Sequence, residues 1–300
     1  MKMLSDFKFN VYSQYGEDGI IKEILSRLES SGIALNKWAC EFGAWDGLHL
    51  SNTARLIVEE GFSAVLIEGD SIRVEELHAN FPDDRVRKIC SFVSHFGETS
   101  LENILSTTDI PADFDFLSID IDGMDYYILQ SLKQYKPKLI SIEFNPTIPN
   151  AVHFVQAENY SIKQGASAKA IHELATRMDY SVVAGTHCNL FLLNNKFSQV
   201  FDLPIPSLDE LVPKGKDVTY LFSGYDGTLL SNKSTIRLGW HGDFPISSIQ
   251  LLPKFLRVFS GDYNRFQRLL LGLILLRYWK SDLNKLKRLF ARVFNGKGSD

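Results

Sequence analysis

Acidic side chains and glycines crowd one short stretch near the start of the chain, Cys-Glu-Phe-Gly-Ala-Trp-Asp-Gly at residues 40–47. An apolar segment follows, and it ends in a second acid, Glu68, about 20 residues after Gly47. Nucleoside sites are built in this order: a strand, a glycine-containing turn, a helix and a second strand that ends in an acid. The glycines let the ligand approach the backbone, and the acid accepts the ribose hydroxyls. The spacing therefore predicts a nucleoside cofactor.

The charge of this loop indicates which nucleoside binds. The loop lacks the Gly-x-Gly-x-x-Gly pattern that fits a pyrophosphate, and Glu41 and Asp46 make it negative. Carboxylates favour a cationic ligand, and S-adenosylmethionine carries a sulfonium and an ammonium group. The predicted cofactor contacts in this region are Glu41, Gly43, Ala44, Gly47, Glu68, Gly69 and Asp70. Solvated strand-end acids are the alternative for Glu41 and Glu68, and a helix cap is the alternative for Asp70.

Two further polar pairs follow later apolar segments. Asp120 and Asp122 are two residues apart, as are Glu143 and Asn145, so each pair shares one face of an extended segment. Carboxylates this close repel unless a cation, a proton or a donor separates them. Asp120, Glu143 and Asn145 offer the oxygen ligands that Mg²⁺ or Mn²⁺ accepts, which gives a metal hypothesis. Direct hydrogen bonding to substrate is its alternative. Asp120 and Glu143 are predicted catalytic residues in either case, and Asp120 is also a predicted cofactor contact.

Two histidines are candidate general bases. A methyl donor that acts on a hydroxyl needs a nearby group to take the proton, because an un-ionised hydroxyl is a poor nucleophile. His153 follows a proline-flanked loop and His187 precedes the last predicted strand, so both lie on loops that would overhang the site. The alternative for each is an exposed side chain without a role. His241 is a weaker candidate.

Apolar runs alternate with helical patterns along most of the chain. The predicted strands are 38–42, 64–68, 86–90, 116–121, 139–144, 181–184 and 189–193. The predicted helices are 17–30, 51–60, 73–80, 100–106, 126–134 and 168–178. This alternation predicts an α/β fold with a mostly parallel seven-stranded sheet and helices on both faces. The short turn between the last two strands predicts an antiparallel edge hairpin.

Composition bounds the organisation of the chain. Its 300 residues are 45% hydrophobic, which supports one large domain, predicted at residues 1–257, and a small appendage. A net charge of −4 gives no general case for nucleic-acid binding. The odd count of three cysteines predicts reduced thiols and a cytoplasmic protein.

Residues 258–300 are predicted to form a basic amphipathic helical tail. From Arg265 to Asp300 the sequence has nine Lys or Arg residues against two acids. The apolar octet at 269–276 is too short to span a bilayer, which takes about 20 residues. Two alternatives remain open: a helix on the inner face of an anionic membrane, or a helix docked on the domain or on a partner subunit.

A set of motifs in a shared order gives the chain a family resemblance. They are residues 13–19 (Ser-Gln-Tyr-Gly-Glu-Asp-Gly), 41–47, 68–70, 118–126 (Ser-Ile-Asp-Ile-Asp-Gly-Met-Asp-Tyr), 142–146 (Ile-Glu-Phe-Asn-Pro), 165–167, 188–191 and 239–242. Over most of residues 12–257 the chain resembles FkbM-like S-adenosylmethionine-dependent methyltransferases. The resemblance implies a Rossmann-like methyltransferase fold, an adenine slot at Ser91 and Phe92, and an N-terminal lid that includes Gln14.

The resemblance also implies a methyl acceptor, and two rival functions remain open. It implies O-methylation of a sugar or glycoconjugate hydroxyl, as in cell-surface polysaccharide biosynthesis. In catechol O-methyltransferase and some sugar O-methyltransferases, an acid, acid and amide set holds a metal. Here Glu143 replaces an Asp in that set, and an extra residue separates it from Asn145. The rival functions are an NAD-dependent oxidoreductase and a non-catalytic scaffold that keeps the cofactor pocket.

Overall fold

The structure is a computed structural model that describes residues 3–200, 206–212 and 217–279. The chain divides into two compact units, Met1–Val218 and Thr219–Asp300. Sequence analysis predicts that the large domain ends at residue 257, and this boundary stays a prediction.

The first unit is built on a seven-stranded sheet with the order β3-β2-β1-β4-β5-β7-β6. The strands are β1 (Trp38–Phe42), β2 (Ser63–Glu68), β3 (Val86–Cys90), β4 (Phe116–Ile119), β5 (Leu139–Glu143), β6 (Tyr180–Gly185) and β7 (Asn189–Asn194). The first five run parallel, whereas β7 lies antiparallel to both β5 and β6. The predicted mostly parallel sheet with an antiparallel edge hairpin is therefore confirmed.

Helices connect these strands and cover the sheet. They are α1 (Glu17–Ser30), α2 (Ala54–Val58), α3 (Ser71–Asn80), α4 (Leu101–Ser106), α5 (Asp125–Ser131), α6 (Ala168–Arg177) and α7 (Leu208–Leu211), with 3-10 turns at Leu4–Phe7 and Asn195–Val200. The apolar stripe of α1, from Ile20 to Leu28, is buried. It packs in one core cluster with Phe116 of β4 and Phe191 of β7. The apolar face of α1 that the sequence predicts therefore packs against the sheet.

Side chains that take over backbone hydrogen bonds account for two of the differences from the predicted bounds. Helix α2 begins at Ala54 rather than residue 51, since Ser51 Oγ accepts from the N–H groups of Thr53 (3.2 Å) and Ala54 (3.0 Å) and holds a turn before the helix. Strand β4 ends at Ile119 rather than residue 121. The Asp125 carboxylate accepts from the N–H groups of Ile121 (2.9 Å) and Gly123 (2.8 Å), which turns the chain into α5.

A buried ion pair joins the starts of the central strands. Asp115 and Lys138 side chains are almost fully buried and lie 2.8 Å apart. Asp115 also accepts from the N–H groups of Lys37 and Trp38, which precede or begin β1. A buried pair with additional donors is a geometric constraint on its elements. It fixes the register of β1, β4 and β5, whose opposite ends carry the predicted site residues.

The second unit contains two small hairpins and a helix. Its strands are β8 (Leu221–Ser223), β9 (Leu229–Ser231), β10 (Thr235–Arg237) and β11 (Asp243–Pro245), its 3-10 turns are Gly239–His241, Ile246–Ile249, Lys254–Leu256 and Ser260–Asp262, and its helix is α8 (Arg265–Trp279). Helix α8 confirms a helical C-terminal extension. The rest of the predicted tail, residues 280–300, lies outside the described residues. Among the helices that the structure describes, none has both the length and the apolar character needed to cross a membrane.

Candidate functional site

Gly43 is the point where three strand ends meet. Its N–H and that of Ala44 donate to the Ile67 carbonyl of β2, at 3.0 and 3.2 Å. Gly43 has φ +74°, and a Cβ built on it would overlap the Asp120 carbonyl oxygen that follows β4. Only a glycine fits such a conformation at such a close approach. The first predicted cofactor loop and the Asp120 region therefore lie in direct contact.

Glu68 ends β2 with part of its acceptor capacity free. Its carboxylate accepts from the N–H groups of Trp45 and Asp70, each at 2.9 Å, and the residue is half-buried. An ionised carboxylate has about four lone-pair sites, so two remain for ligand hydroxyls. Asp70 is exposed and accepts from Ile72 N–H at 2.9 Å, so the cap that sequence analysis weighed for it is present.

An exposed aromatic ring stands beside Glu68. A Cβ on Gly69 would overlap the Phe92 ring, so the glycine leaves room for that ring. Phe92 follows β3 and is 79% exposed, while Ser91 is half-buried and its hydroxyl donates to the Phe92 carbonyl at 3.3 Å. Such a ring offers a flat apolar wall to a planar ligand.

A cation stacks on a second exposed ring, Trp45, which lies in the loop of Gly43 after β1. The Arg73 guanidinium lies 4.0 Å from the centre of the Trp45 ring, and Trp45 is 47% exposed with φ +52°. Arg73 also pairs with Glu76 at 2.7 Å. Sequence analysis did not assign Trp45 a role, because a stacking partner 28 residues later in the chain leaves no local signal.

Glu41 is fully engaged by the chain itself. Its carboxylate accepts from the hydroxyls of Ser51 and Thr53 (both 2.6 Å) and from Asn52 N–H (2.9 Å), and Ser118 adds a further hydrogen bond. Burial raises the pKa of Glu41, and these hydrogen bonds oppose that shift. The structure thus uses Glu41 to hold the loop before α2. A direct contact between Glu41 and the cofactor stays a prediction. The lone pairs of this carboxylate already accept hydrogen bonds from the chain.

Gly47 owes its conformation to helix packing. It has φ +77°, and an added Cβ would lie 2.6 Å from Phe81 and 2.7 Å from Leu77. Asp46 closes the turn by accepting from the N–H groups of Leu48 and His49. Ala44 beside it is buried. The glycine is thus required by close packing against α3, and its predicted contact with a cofactor stays a prediction.

Three carboxylates converge after β4 and β5. Oxygen atoms of Asp120, Asp122 and Glu143 all lie within 4.8 Å of one another. Burial, and then repulsion from neighbouring acids, raises the pKa of Asp120 to about 8 and the pKa of Glu143 to about 9. Asp122 is exposed and has φ +57°. The cluster therefore favours a state that carries protons, or a bound cation, at neutral pH.

Asn145 has other partners. Its Oδ1 accepts from Thr147 N–H (3.0 Å) and Thr147 Oγ1 (2.6 Å), and its Nδ2 donates to the Gln164 carbonyl (2.9 Å). Two members of the predicted metal set, Asp120 and Glu143, thus lie together with a third carboxylate, Asp122. Sequence analysis paired Asp122 with Asp120 but did not include it in the metal set, and the metal role of Asn145 stays a prediction.

The two predicted histidine bases each face a single acid elsewhere. His153 Nδ1 lies 2.8 Å from Glu173 of α6, and His187 Nε2 lies 3.2 Å from Asp217. The His187 ring also contacts the Tyr15 ring, with 4.8 Å between centroids. Within the described part of the chain, the close group of acidic and histidine side chains at the strand ends contains neither histidine. Their catalytic roles stay predictions.

The N-terminal segment reaches the end of the sheet. Glu17 is buried and accepts from Thr186 Oγ1 (2.7 Å), from Asn189 Nδ2 (3.3 Å) and from Tyr15 N–H (2.6 Å). Asn189 is the antiparallel partner of Glu143 in the sheet. Gln14 is exposed on the same segment. These contacts bring the predicted lid segment beside the β5–β7 pair.

A third histidine, which sequence analysis did not single out, binds two loops together. His95 follows β3, and its ring nitrogens lie 2.9 Å from Tyr160 Oη and 2.9 Å from Glu158 Oε1. The loop that carries Glu158 and Tyr160 also places Lys163, which donates to the Ile121 carbonyl at 3.0 Å. This loop therefore passes from the predicted adenine slot to the carboxylate cluster. No motif spacing reveals such a contact between distant loops.

Fold and site together define the class. The strand order with an antiparallel β7, and a glycine loop followed by a strand-end acid, are those of a Rossmann-like methyltransferase. Residues 96–181 match the family model described as the methyltransferase FkbM domain, which confirms the resemblance over that segment. The likeness to this family is thus shown for residues 96–181, and the fold of the first unit agrees with it.

Comparison with solved structures gives distant likenesses. An S-adenosylmethionine-dependent methyltransferase from Clostridium acetobutylicum is 7% identical, with 60% of this chain and 92% of that chain covered and a TM-score of 0.37. The glycopeptide N-methyltransferase MtfA in complex with S-adenosyl-L-methionine is 11% identical (56% and 84% covered, TM-score 0.31). The O-methyltransferase NcsB1 from neocarzinostatin biosynthesis is 14% identical (59% and 57% covered, TM-score 0.32). Among curated proteins, none matches the sequence. Likenesses this distant give no information on the substrate.

Proposed function

We propose that this protein transfers a methyl group from S-adenosylmethionine to a hydroxyl of a sugar or glycoconjugate, in the biosynthesis of a cell-surface polysaccharide. One observation carries the proposal. The glycine loop of the predicted cofactor site touches the backbone of Asp120, so the methyl donor and the carboxylate cluster would be neighbours. The sugar is supported by the FkbM-like resemblance and by a cluster of oxygen acceptors suited to hydroxyl donors.

The residues around Gly43 would bind and orient the cofactor. Glu68 would accept the ribose hydroxyls with its two remaining lone-pair sites, and Phe92 would cover one face of the adenine. Gly43 and Ala44 would line the path of the methionine part, and Gln14 would approach from the N-terminal lid. When bound, the cofactor supplies a methyl group on a sulfonium, which is open to in-line displacement. Most of the rate gain would come from holding the acceptor in line with it.

The carboxylate cluster would take up the hydroxyl proton of the acceptor molecule. The geometry allows Asp120, once ionised, to take the hydroxyl proton while Glu143 keeps its own. Asn189 Oδ1 is buried and has no partner among the described residues, and Asn189 lies opposite Glu143 in the strand register. A protonated Glu143 would give that oxygen a donor. His153 and His187 remain alternative bases, each with a single acid for a partner.

A divalent cation is the second candidate occupant of the cluster. Three carboxylates with oxygens within 4.8 Å fit a small hard cation. If Mg²⁺ or Mn²⁺ binds, Asp120, Asp122 and Glu143 would hold it, and it would polarise the acceptor oxygens. Proton binding already relieves the repulsion within the cluster, since the pKa values of Asp120 and Glu143 are raised.

Turnover is therefore expected to survive metal removal. The protein is treated with a chelator, its residual metal content is measured by mass spectrometry, and S-adenosylhomocysteine formation is followed with a panel of sugar acceptors. Retained turnover in metal-free protein supports the proton-based account. Loss of turnover that Mg²⁺ or Mn²⁺ restores, together with one bound ion per chain, would replace it with the cation.

Calorimetric titration with S-adenosylhomocysteine is the test of the cofactor site. We expect binding in the micromolar range and a loss of roughly 100-fold or more in Glu68→Ala, because two hydrogen bonds to a charged acceptor are lost and each is worth about 1.5–3 kcal/mol. Glu75→Ala removes an exposed acid from α3 and is the matched control, expected to bind as the wild type does. A preference for NAD would favour the oxidoreductase rival. Binding without turnover on any acceptor would favour the scaffold rival.

Three further assignments remain predictions that rest on the sequence. They are a cytoplasmic location, a lack of nucleic-acid binding, and a membrane or subunit partner for the C-terminal tail. The three cysteines are free in the structure, as the predicted reduced thiols require.

A further inference from the structure

The two compact units carry opposite charges. Residues 1–218 contain 31 acidic and 19 basic side chains, whereas residues 219–300 contain 5 acidic and 13 basic ones. Their net charges are therefore −12 and +8, a division that the overall value of −4 conceals. A strongly basic module attached to an acidic one indicates attraction to an anionic surface.

The basic unit also exposes large apolar side chains. Six of them lie between residues 251 and 273 and are 49–66% exposed: Leu251, Phe255, Phe259, Phe266, Leu269 and Leu273. In the apolar octet of α8, residues 269–276, every side chain is exposed or half-buried, and only Gly272 is buried. Single exposed apolar residues are ordinary, but a sustained run of them marks an interaction surface.

Hydrogen bonds fold this run into one continuous segment. The Tyr263 hydroxyl donates to the Leu256 carbonyl, and Gln267 Nε2 donates to the Phe255 carbonyl at 2.9 Å. Arg268 Nε donates to the Tyr263 carbonyl at 3.1 Å. The 3-10 turns around Phe255 and Phe259 are thus fixed to the first turns of α8. The basic side chains of this segment are Lys254, Arg257, Arg265 and Arg268, against a single acid, Asp262.

We propose that the basic apolar surface formed by these six apolar and four basic side chains binds an anionic phospholipid bilayer. The apolar side chains would enter the boundary between headgroups and acyl chains, while the arginines and lysine contact lipid phosphates. Three of the six apolar side chains are leucines, which neither stack on bases nor bond to phosphates, so a nucleic acid would use only the phenylalanines. The 15 described residues of α8 are about 22 Å long, which is less than the thickness of about 30 Å of the hydrocarbon core, and we propose that they lie along the membrane surface.

Sedimentation of the full chain with lipid vesicles tests this surface. We expect binding to vesicles of phosphatidylcholine with about one third phosphatidylglycerol, little binding to phosphatidylcholine alone, and a decrease at high salt because charge attraction is screened. The variant Leu269→Ser/Leu273→Ser is expected to partition at least about tenfold more weakly, since it removes two inserted side chains. Val58→Ser changes an equally exposed apolar residue of the first unit and is expected to bind vesicles normally.

Four outcomes would overturn the proposal. They are equal binding to neutral vesicles, unchanged binding by the double variant, tight binding to double-stranded DNA in place of vesicles, and a dimer that the double variant converts to monomer. Titration of the double variant with S-adenosylhomocysteine separates this test from that of the proposed function. An intact cofactor site with lost vesicle binding supports the membrane surface by itself.

Discussion

Replacing Gly43 with alanine is expected to abolish cofactor binding and to destabilise the first unit. The new Cβ would overlap the Asp120 carbonyl oxygen, so β1 and β4 would have to separate at the ends that carry the site. The residue also keeps φ +74°, which costs a non-glycine residue about 1–2 kcal/mol. With forced overpacking of about 1–3 kcal/mol, we expect a total loss of about 3 kcal/mol in the free energy of unfolding.

Gly32→Ala separates the two causes. Gly32 follows α1 with φ +82°, and an added Cβ there meets no atom within 4 Å. This control carries the backbone strain without the overlap, so it is expected to lose only about 1–2 kcal/mol and to bind S-adenosylhomocysteine as the wild type does. Denaturant unfolding and calorimetry give both readouts. If Gly43→Ala binds the cofactor as well as Gly32→Ala does, the close approach of Gly43 to Asp120 has no part in the site.

Replacing Asp120 with asparagine is expected to lower turnover by about 10²–10⁴-fold, the usual contribution of a general base. Asparagine keeps the shape of the side chain and removes its capacity to take a proton. Cofactor affinity should change little, because asparagine keeps a polar side chain at the predicted cofactor contact of Asp120. Turnover is measured as S-adenosylhomocysteine formed with an acceptor on which the wild type is active. Asp109→Asn removes an exposed acid from the same unit and is the charge-matched control.

The dependence of turnover on pH shows whether Asp120 acts as a base or only as a negative charge. The pKa of Asp120 is raised to about 8, so this carboxyl is mostly protonated below that pH and becomes a base above it. Turnover of the wild type should therefore rise as the pH passes through about 8, with an apparent pKa that belongs to the coupled Asp120 and Glu143 pair. The rise should be absent in Asp120→Asn. A residual activity in Asp120→Asn that keeps the wild-type pH dependence would assign the proton transfer to another group.

The sequence predicts the fold well because the sheet is buried on both faces. Strand β1 has its predicted bounds, since its buried run sets where the strand can lie, and the more polar edge strand β3 has its predicted bounds as well. Errors arise where side chains bind backbone groups. The hydrogen bond of Ser51 delays the start of α2, and that of Asp125 ends β4 early. Neither hydrogen bond is visible in the hydrophobic pattern of the sequence.

The site is less completely predictable. Strand-end acids such as Glu68, Asp120 and Glu143 follow from topology, because parallel strands end at one edge. Which acceptors remain free does not follow from topology. Glu41 has a similar position but is occupied by Ser51, Asn52, Thr53 and Ser118. The contacts of His95 with Glu158 and Tyr160 join loops more than 60 residues apart, and only the folded chain brings them together.

The link between Glu17 and the β6–β7 turn has a consequence for the order of events during synthesis. Glu17 pairs with Thr186, 169 residues later, so its buried carboxylate has no such partner until most of the first unit has left the ribosome. Contacts between residues so far apart close slowly, because the intervening chain must first be ordered. The nucleoside loop around Gly43 and the strands beside it are all made earlier. The N-terminal segment should therefore settle last, after β7 has inserted between β5 and β6.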